Sequence, residues 1–456
     1  MRERRRAVAL CPFCSLNKKF QNRPSMIAII VKMWYDDSMK ALAVNLTNDQ
    51  ADAAQLIEEW FYHLSNQIFV LCGYAGTGKT FLIDYVVRRL GLVPGESAVF
   101  VTPTGKAASV LIRGGTPACT LHSLIYMREE DIEVNEDGEV VSERFLRFVK
   151  REKISKNIQL IVIDETSMVA DDTLKDLLSF GVKCLFCGDP AQLPPVGGTN
   201  TLLSMPCITL KDIVRQAEGD PIVRLAEKAR AGEYLDYGEY GKHAAVIAKA
   251  DFCGDLRKKL LAKADQVIVG TNRTRNQINA EIRSGMGISS AALCPIDGEK
   301  VICTLNNWGR TLDKEENFHL VNGIIGKCYR VREQEDGLLQ LDFKAEFLQD
   351  SCCDLPVDAG IFTRGQYFHG YGDRACLLEN GTMVHGENYE MLRRFKVRRE
   401  EAVNRFEFAY AVTCHKAQGS EYDFVIVFDE SKHFENGSSW LYTAITRAKK
   451  KLIIVR

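Results

Sequence analysis

One loop of eight residues, between two apolar stretches, carries the clearest chemistry in the sequence. Residues 73–80 are Gly-Tyr-Ala-Gly-Thr-Gly-Lys-Thr; they follow a strand-like run at 67–72 and precede a helical pattern at 81–90. Glycines at these positions let successive backbone N–H groups point at phosphate oxygens. The lysine adds positive charge at the terminal phosphates, and the last threonine offers a hydroxyl to Mg²⁺. The residues predicted to bind a nucleotide in this P-loop are Gly73, Gly76, Thr77, Gly78, Lys79 and Thr80.

Two acidic residues at the end of another apolar run could complete a hydrolytic site. Asp164 and Glu165 follow the run 159–163. An acid in this place can hold Mg²⁺ beside the P-loop, and its neighbour can orient a water molecule for attack on the terminal phosphate. A third run, 183–187, leads into Gly-Asp-Pro-Ala-Gln-Leu-Pro-Pro at 188–195. These residues predict ATP or GTP hydrolysis, and by themselves they do not say what the hydrolysis drives.

These groups can meet only if the elements that carry them form a parallel sheet. Apolar strand-like runs alternate with helical stretches, which is typical of an α/β fold whose ligands bind at the carboxyl ends of the strands. The length of 456 residues predicts about three domains at roughly 150 residues each. We therefore expect at least one doubly covered parallel sheet.

Composition narrows the class of protein further. The chain is 46% hydrophobic with a net charge of −1, so it is not mostly disordered, and any basic groove for nucleic acid must be local. Fifteen cysteines without regular spacing argue against a disulfide framework and favour a reducing compartment. The apolar run near the start, 26–31, is far shorter than the roughly 20 residues of a membrane helix, so we expect no membrane association.

The first 46 residues differ from the rest, and we predict a mobile basic extension there. Cys11 and Cys14 have the spacing of half a zinc site, but a structural zinc site needs four ligands and no second pair follows nearby. We therefore do not expect a zinc site in this segment.

The motifs, in their order, resemble those of superfamily-one DNA helicases of the RecD/Dda branch, from about residue 45 to 456. The P-loop and Asp164-Glu165 belong to this series. The remaining segments that resemble family motifs are 46–50 (the Q motif), 102–108 (Ia), 120–123 (Ib), 188–195 (III), Arg215-Gln216 (IV), 412–421 (V) and 442–448 (VI).

The resemblance implies roles around ATP and Mg²⁺. Gln50 would read adenine and Glu421 would contact the ribose, while Thr80 and Asp164 would hold the metal. The catalytic residues that it implies are Lys79, Glu165, Gln192, Arg215 and Arg447. Taken alone, the two arginines would more often be surface ion-pair formers. They can reach the nucleotide only if a second domain closes over it, where they would stabilise charge on the transferred phosphoryl group.

The resemblance also implies contacts to a single DNA strand. Short polar groups suit phosphate oxygens, which position a strand without reading its sequence. The candidate residues are Pro103, Thr104, Thr120, His122, Asn272, Thr413 and His415. The alternative for His122 is a structural histidine.

The fold that this resemblance implies is α/β, with two RecA-like P-loop domains and two small insertions. The predicted segments are 47–125 and 156–209 (domain 1), 126–155 (a β-hairpin pin), 210–325 and 404–456 (domain 2), and 326–403 (an SH3-like β-barrel). Phe145 and Phe148 could stack on a base pair, although an i, i+3 aromatic pair better suits a helix face in a small core. Phe362, Tyr367, Phe368 and Tyr371 could stack on bases or form the core of the barrel.

The expected function is therefore that of an ATP-dependent helicase that moves 5′→3′ on single-stranded DNA and separates duplex. We expect a monomer in a bacterial or phage-infected cytosol, acting in replication, recombination or repair on single-stranded and forked DNA, with single-strand-binding or recombination proteins as partners. Two alternatives stay open: an ATP-dependent remodelling subunit that separates no strands, and an RNA helicase, because no residue identifies a reader of the 2′-hydroxyl.

Overall fold

The computed structural model describes most of the chain from residue 46 onward. The described ranges are 46–134, 140–195, 200–213, 219–313, 318–334, 338–346, 351–359, 374–377, 383–386 and 403–456, with residues 348, 361 and 362. The predictions for the extension with Cys11 and Cys14, for Arg215, and for Tyr367, Phe368 and Tyr371 lie outside the described residues. No helix within these ranges is both long and apolar enough to cross a membrane.

The first half of the chain alternates strands with helices. Its elements are α1 (Asn48–His63), β1 (Ile68–Gly73), α2 (Lys79–Arg89), β2 (Ala98–Thr102), α3 (Gly105–Arg113), β3 (Ala118–Thr120), α4 (Leu121–Ile125), β4 (Tyr126–Val134), β5 (Val140–Lys150), β6 (Leu160–Ile163), α5 (Asp171–Leu178), β7 (Lys183–Gly188) and β8 (Ile208–Leu210), with 3₁₀ turns at Thr166–Met168 and Leu202–Ser204.

Six of these strands form a parallel sheet in the order β3-β2-β6-β7-β1-β8. The four central strands are buried almost throughout, as expected for apolar runs covered by helices on both faces. Side chains of α1 and α2 pack on one face, and those of α4 and α5 pack on the other. Because the strands are parallel, the P-loop, Asp164-Glu165 and the loop 188–195 all leave the same edge of the sheet. This sheet and its helices are called the first domain.

The second half contains a second set of strands with an antiparallel region inside it. Its elements are α6 (Pro221–Arg230), β9 (Gly238–Tyr240), β10 (Ala244–Ile247), α7 (Gly254–Lys263), β11 (Gln266–Val269), α8 (Asn272–Gly285), β12 (Lys300–Cys303), β13 (Asn307–Asp313), β14 (Phe318–Leu320), β15 (Ile325–Glu333), β16 (Leu338–Ala345), β17 (Cys352–Asp358), β18 (Arg374–Leu377), β19 (Met383–Gly386), β20 (Phe406–Phe408), β21 (Ala411–Thr413), α9 (Cys414–Ala417), β22 (Tyr422–Phe428), α10 (Gly437–Ile445) and β23 (Ala448–Val455), with a 3₁₀ turn at Ser431–His433.

A second sheet of six strands has the order β21-β11-β22-β23-β10-β9 and is parallel except for β9. The helices α6 and α10 pack on one face, where Leu225, Ala226 and Trp440 are buried. This sheet and its helices are called the second domain. The two sheets confirm the predicted α/β fold class with two RecA-like domains.

The antiparallel region is larger than the predicted insertion at 326–403. Five strands pair in the order β17-β16-β15-β12-β20. The sheet starts earlier and ends later than predicted because it includes β12, which lies before residue 326, and β20, which lies after residue 403. β12 is hydrogen bonded to β15 on one edge and to β20 on the other. Its core includes Phe343 and Phe406, whose ring centroids are 4.9 Å apart, and Phe362 packs against this core.

The segment 126–155 contains one antiparallel pair of strands. β4 and β5 pair from Tyr126 with Lys150 to Val134 with Val140. The expectation that Phe145 and Phe148 share a helix face is wrong, because both lie on β5. The side chain of Phe148 is 42% exposed.

A buried ion pair links the second domain to the start of the antiparallel sheet. The Arg283 guanidinium on α8 donates to both Glu299 oxygens at 2.8 and 3.0 Å, and Glu299 is 3% exposed just before β12. Removing one partner of a buried pair leaves an uncompensated charge, which costs about 3–5 kcal/mol.

We expect Glu299→Gln to lower the free energy of unfolding by about 3 kcal/mol, measured by urea denaturation followed by circular dichroism. Asp172→Asn is the matched control, because it breaks the exposed pair with Lys175 and should leave the unfolding midpoint nearly unchanged. Equal midpoints for the two variants would contradict this role for the buried pair.

Candidate nucleotide and nucleic-acid sites

The P-loop is held in a tight turn between β1 and α2. Lys79 begins α2, and its ammonium donates to the Gly73 and Tyr74 carbonyls at 2.8 and 3.0 Å. Gly76 and Gly78 have φ angles of 81° and 74°, which favour glycine. A Cβ at Gly73 would lie 2.7 Å from the Thr77 hydroxyl oxygen, so this glycine is required by close approach. Thr80 is exposed at the rim of the loop, where its hydroxyl is accessible.

Gln50 supports the P-loop from α1. Its side chain is 2% exposed and donates to the Thr77 carbonyl at 2.9 Å, while its oxygen accepts from the backbone N–H of Thr47 at 3.1 Å. The predicted reading of adenine would therefore have to use the remaining N–H or replace one of these bonds. In this structure Gln50 connects the start of α1 to the nucleotide loop.

Asp164 and Glu165 stand side by side at the carboxyl end of β6. Burial raises the pKa of both carboxyls; the Lys79 charge opposes the rise at Asp164, and the Arg447 charge opposes it at Glu165. Glu165 has a left-handed φ of 53°, an uncommon and strained conformation for this residue type. Asp164 and Glu165 are half-buried and their charges repel each other, and a bound cation would relieve this repulsion. Mg²⁺ typically takes one or two carboxylates and completes its shell with phosphates and water, so the pair fits this metal together with Thr80.

The loop 188–195 joins the two domains. Asp189 is 1% exposed and accepts from the Tyr442 hydroxyl at 2.5 Å, and that hydroxyl accepts from the backbone N–H of Ala75 at 2.8 Å. Leu193 is buried in the core of the second domain, although it belongs to the first. Between them lies Gln192, whose amide oxygen is buried and has no partner among the described residues.

Two arginines of the second domain lie at this interface. Arg447 is 4% exposed and donates to the Thr443 and Ser420 carbonyls at 3.1 and 3.2 Å. Its charge lowers the pKa of Glu165, so the predicted arginine lies within electrostatic range of the predicted water-orienting acid. Arg230 on α6 lies 3.9 Å from the centroid of the Tyr74 ring in the P-loop, a cation–π contact across the two domains.

Most of the predicted DNA contacts lie where a strand ends and a helix begins. Thr104 lies two residues after β2, and Thr120 is the last residue of β3. Their hydroxyls accept from backbone N–H groups of α3 and α4 at 3.2 Å each. Thr413 precedes α9, where its side chain makes no capping bond. These N-termini present backbone donors that suit an anion. All three threonines are N-cap residues, and Thr104 and Thr120 also cap their helices with a side-chain hydrogen bond.

The remaining predicted contacts have less uniform surroundings. Pro103 lies between β2 and α3 and is half-buried, and His122 is exposed, with its ring 5.3 Å from that of Tyr126. His415 is half-buried, and burial lowers the pKa of its imidazole. Glu421, predicted at the ribose, pairs at the surface with Lys449 at 3.2 Å.

A carboxylate of the protein already binds the N-terminus of α8, where Asn272 is predicted to contact DNA. Glu430 accepts from the backbone N–H groups of Gly270 and Thr271 at 2.6 and 3.0 Å. It also accepts from the Thr274 hydroxyl at 2.6 Å. Since one anion already satisfies these donors, the first turn of α8 is less available to a phosphate than the N-termini of α3 and α4.

Sequence reasoning missed several residues that the structure brings to the interface. Tyr442, Asp189 and Gln418 lie inside recognised motifs, and only the packing of the two domains shows what they contact. Glu430 and Arg230 lie outside the motifs; an acid just after strand β22 is the only signal that the sequence offers for the first of these.

Glu430→Ala should destabilise the junction of β11 and α8, because two backbone donors and the hydroxyls of Thr271 and Thr274 lose their acceptor. We expect a loss of about 1–2 kcal/mol in the free energy of unfolding. Faster amide hydrogen exchange over residues 270–274 would locate the loss. Glu430→Gln keeps an acceptor oxygen and should lose less, and Glu435→Ala, at an exposed site nearby, serves as the control. Unchanged exchange in the alanine variant would contradict this assignment.

Comparison with known families covers both domains. Residues 45–251 match the model of an AAA domain, and residues 408–455 match that of a UvrD-like helicase C-terminal domain. The ATP-dependent RecD2 DNA helicase of Deinococcus radiodurans is 24% identical over 413 residues, which are 85% of this chain and 46% of that protein. The ATP-dependent DNA helicase dda of Enterobacteria phage T4 is 26% identical over 263 residues, or 52% and 57% of the two chains.

Among solved structures, a Bacteroides Pif1 bound to single-stranded DNA aligns with 90% of this chain and 92% of its own, at 19% identity and a TM-score of 0.48. The chain spans about half the length of the curated relatives it matches. The motif order, the two matched domains and these curated relatives make the chain similar to the superfamily-one helicases of the RecD/Dda type.

Proposed function

We propose that this protein is an ATP-dependent DNA helicase that moves 5′→3′ along single-stranded DNA. The observation that carries the proposal is the meeting of nucleotide-site groups from both domains. Arg447 of the second domain acts on the pKa of Glu165 in the first, and Tyr442 hydrogen bonds to the P-loop at Ala75. An ATPase whose site is completed by a second domain can convert hydrolysis into relative motion of the two domains.

In the proposed cycle, the P-loop N–H groups and Lys79 bind the phosphates of ATP. Thr80 and Asp164 would hold Mg²⁺, which when bound would neutralise charge on the phosphates. Glu165 orients the attacking water, and Gln192, with its free amide oxygen, lies between the two domains where a terminal phosphate can be sensed. Arg447 and the motif IV residue Arg215 stabilise the charge on the transferred phosphoryl group, which for a finger arginine can contribute about 10³–10⁵ in rate.

The same cycle would move DNA. Helix N-termini at α3 and α4 belong to the first domain, and the N-terminus of α9 belongs to the second. Phosphate contacts of this kind position a strand without reading its sequence. When the two domains close and open around ATP, these two sets of contacts shift relative to each other and advance the strand.

The direction follows the resemblance of segments 188–195 and 412–421 to motifs III and V of the 5′→3′ branch, and the separation of strands follows the relatives. RecD2 and dda are named as ATP-dependent DNA helicases. The antiparallel pair β4 and β5 would act as the wedge, and the antiparallel sheet that starts at β12 would guide the DNA. We propose a monomer that acts on single-stranded and forked DNA in replication, recombination or repair. Twelve cysteines among the described residues are free, which fits a reducing cytosol.

Lys79→Ala should reduce ATP hydrolysis by at least about 10²-fold, because the phosphates lose their nearest cation. Single-strand binding should persist, since its contacts come from other elements. Steady-state phosphate release and fluorescence anisotropy with a labelled oligonucleotide measure the two properties. Lys175→Ala, at an exposed site, is the matched control. Turnover close to that of the unchanged protein would contradict the P-loop assignment.

Strand displacement on partial duplexes with either a 5′ or a 3′ single-stranded tail tests the proposed function as a whole. We expect ATP-driven displacement from the 5′ tail alone. Displacement from the 3′ tail alone would keep the motor and reverse its direction. DNA-stimulated ATPase activity without displacement from either tail would favour an ATP-dependent remodelling subunit that separates no strands. Displacement of RNA duplexes alone would favour an RNA helicase.

A further inference from the structure

Tyr442 makes a hydrogen-bonded bridge between the P-loop and the loop 188–195. The backbone N–H of Ala75 donates to its hydroxyl at 2.8 Å, and the hydroxyl donates to Asp189 at 2.5 Å. The ring is 1% exposed on α10. Burial, together with the Asp189 charge, raises the pKa of this phenol well above its ordinary value, so the hydroxyl keeps its proton and remains a donor.

The other end of the loop is also held by the second domain. The backbone N–H of Leu193 donates to the Thr443 hydroxyl at 3.0 Å, and the Gln418 amide donates to the Leu193 carbonyl at 3.1 Å. Asp189 in turn accepts from the backbone N–H of Ala191 at 3.0 Å, which closes the loop on itself. Gln192 is therefore anchored on both sides by groups that move with the second domain.

We propose that Tyr442 is a positioning residue that couples the P-loop to Gln192. One hydroxyl binds both Ala75 and Asp189. Closure of the second domain therefore fixes the positions of the P-loop and the loop 188–195 relative to each other at the same time. Opening breaks both bonds together and releases Gln192 from its place. The bridge acts through Gln192 and does not contact the reacting atoms. This inference rests on the proposed ATPase function.

Tyr442→Phe removes the hydroxyl and keeps the ring, so it tests the bridge in the full-length chain. We expect amide exchange to speed up about tenfold over residues 73–80 and 188–193, because a hydrogen bond to a charged group is lost. Exchange over β6, residues 160–163, should not change. Tyr240→Phe is the matched control, since it removes a hydroxyl that donates to the Asp236 carbonyl within the second domain.

The catalytic consequence separates positioning from a merely structural role. We expect kcat of DNA-stimulated ATP hydrolysis to fall about tenfold in Tyr442→Phe, with KM for ATP within about twofold of the unchanged protein. Asp189→Asn should have a similar effect on kcat, and the double variant should be no slower than the worse single variant, because both changes break the same bridge. The asparagine variant also keeps the test available if the phenylalanine variant fails to fold.

The possible results distinguish this inference from the proposed function. Unchanged exchange over 73–80 and 188–193 overturns the bridge, and faster exchange with unchanged kcat overturns its role in positioning. A parallel loss in kcat and rise in KM also overturns positioning, because it indicates general damage to the site. Faster exchange in the variant, together with no ATPase activity in the unchanged protein, supports the bridge and contradicts the proposed function.

Discussion

The polar edge of the first parallel sheet is the constraint on which the rest of the structure depends. β1, β6 and β7 end side by side, so a cradle of N–H donors, two adjacent carboxylates and the loop 188–195 are forced together. Burial raises the pKa of Asp164 and Glu165, and nearby cations oppose this rise. Lys79 supplies one cation from the first domain and Arg447 supplies another from the second. Without the second domain, this edge of the sheet therefore lacks one of its two cations.

The second domain meets this need by burying part of the first in its own core. Leu193 is 4% exposed among side chains of the second domain, and Ala75 and Ala191 pack against the same cluster. Hydrogen bonds from Gln418 and to Thr443 lock the loop in that position. Apolar burial thus holds the interface together, while the directional bonds set where Gln192 lies. A motion of either domain therefore changes the positions of groups in the nucleotide site.

Helix N-termini after parallel strands recur in both domains, and their surroundings make them different. Those of α3 and α4 are capped by threonines, which leaves them suited to anions. The N-terminus of α8 has the same threonine cap, yet Glu430 also binds it. A polar stretch after a strand is thus insufficient to identify a phosphate contact, because a carboxylate distant in sequence can take the place of the phosphate.

Local patterns were enough to predict the strands, the P-loop and the acidic pair, because strand periodicity and glycine-dependent turns depend on neighbouring residues. The strands at 266–269, 325–333 and 338–345 fall where apolar runs and turn residues indicate them. The limits of the antiparallel sheet, the contacts of Gln50 and the roles of Tyr442, Arg230 and Glu430 depend on residues that are up to hundreds of positions apart. Only the packing of the two domains decided them, because hydrogen bonds and burial between distant segments leave no periodic signal in a single sequence.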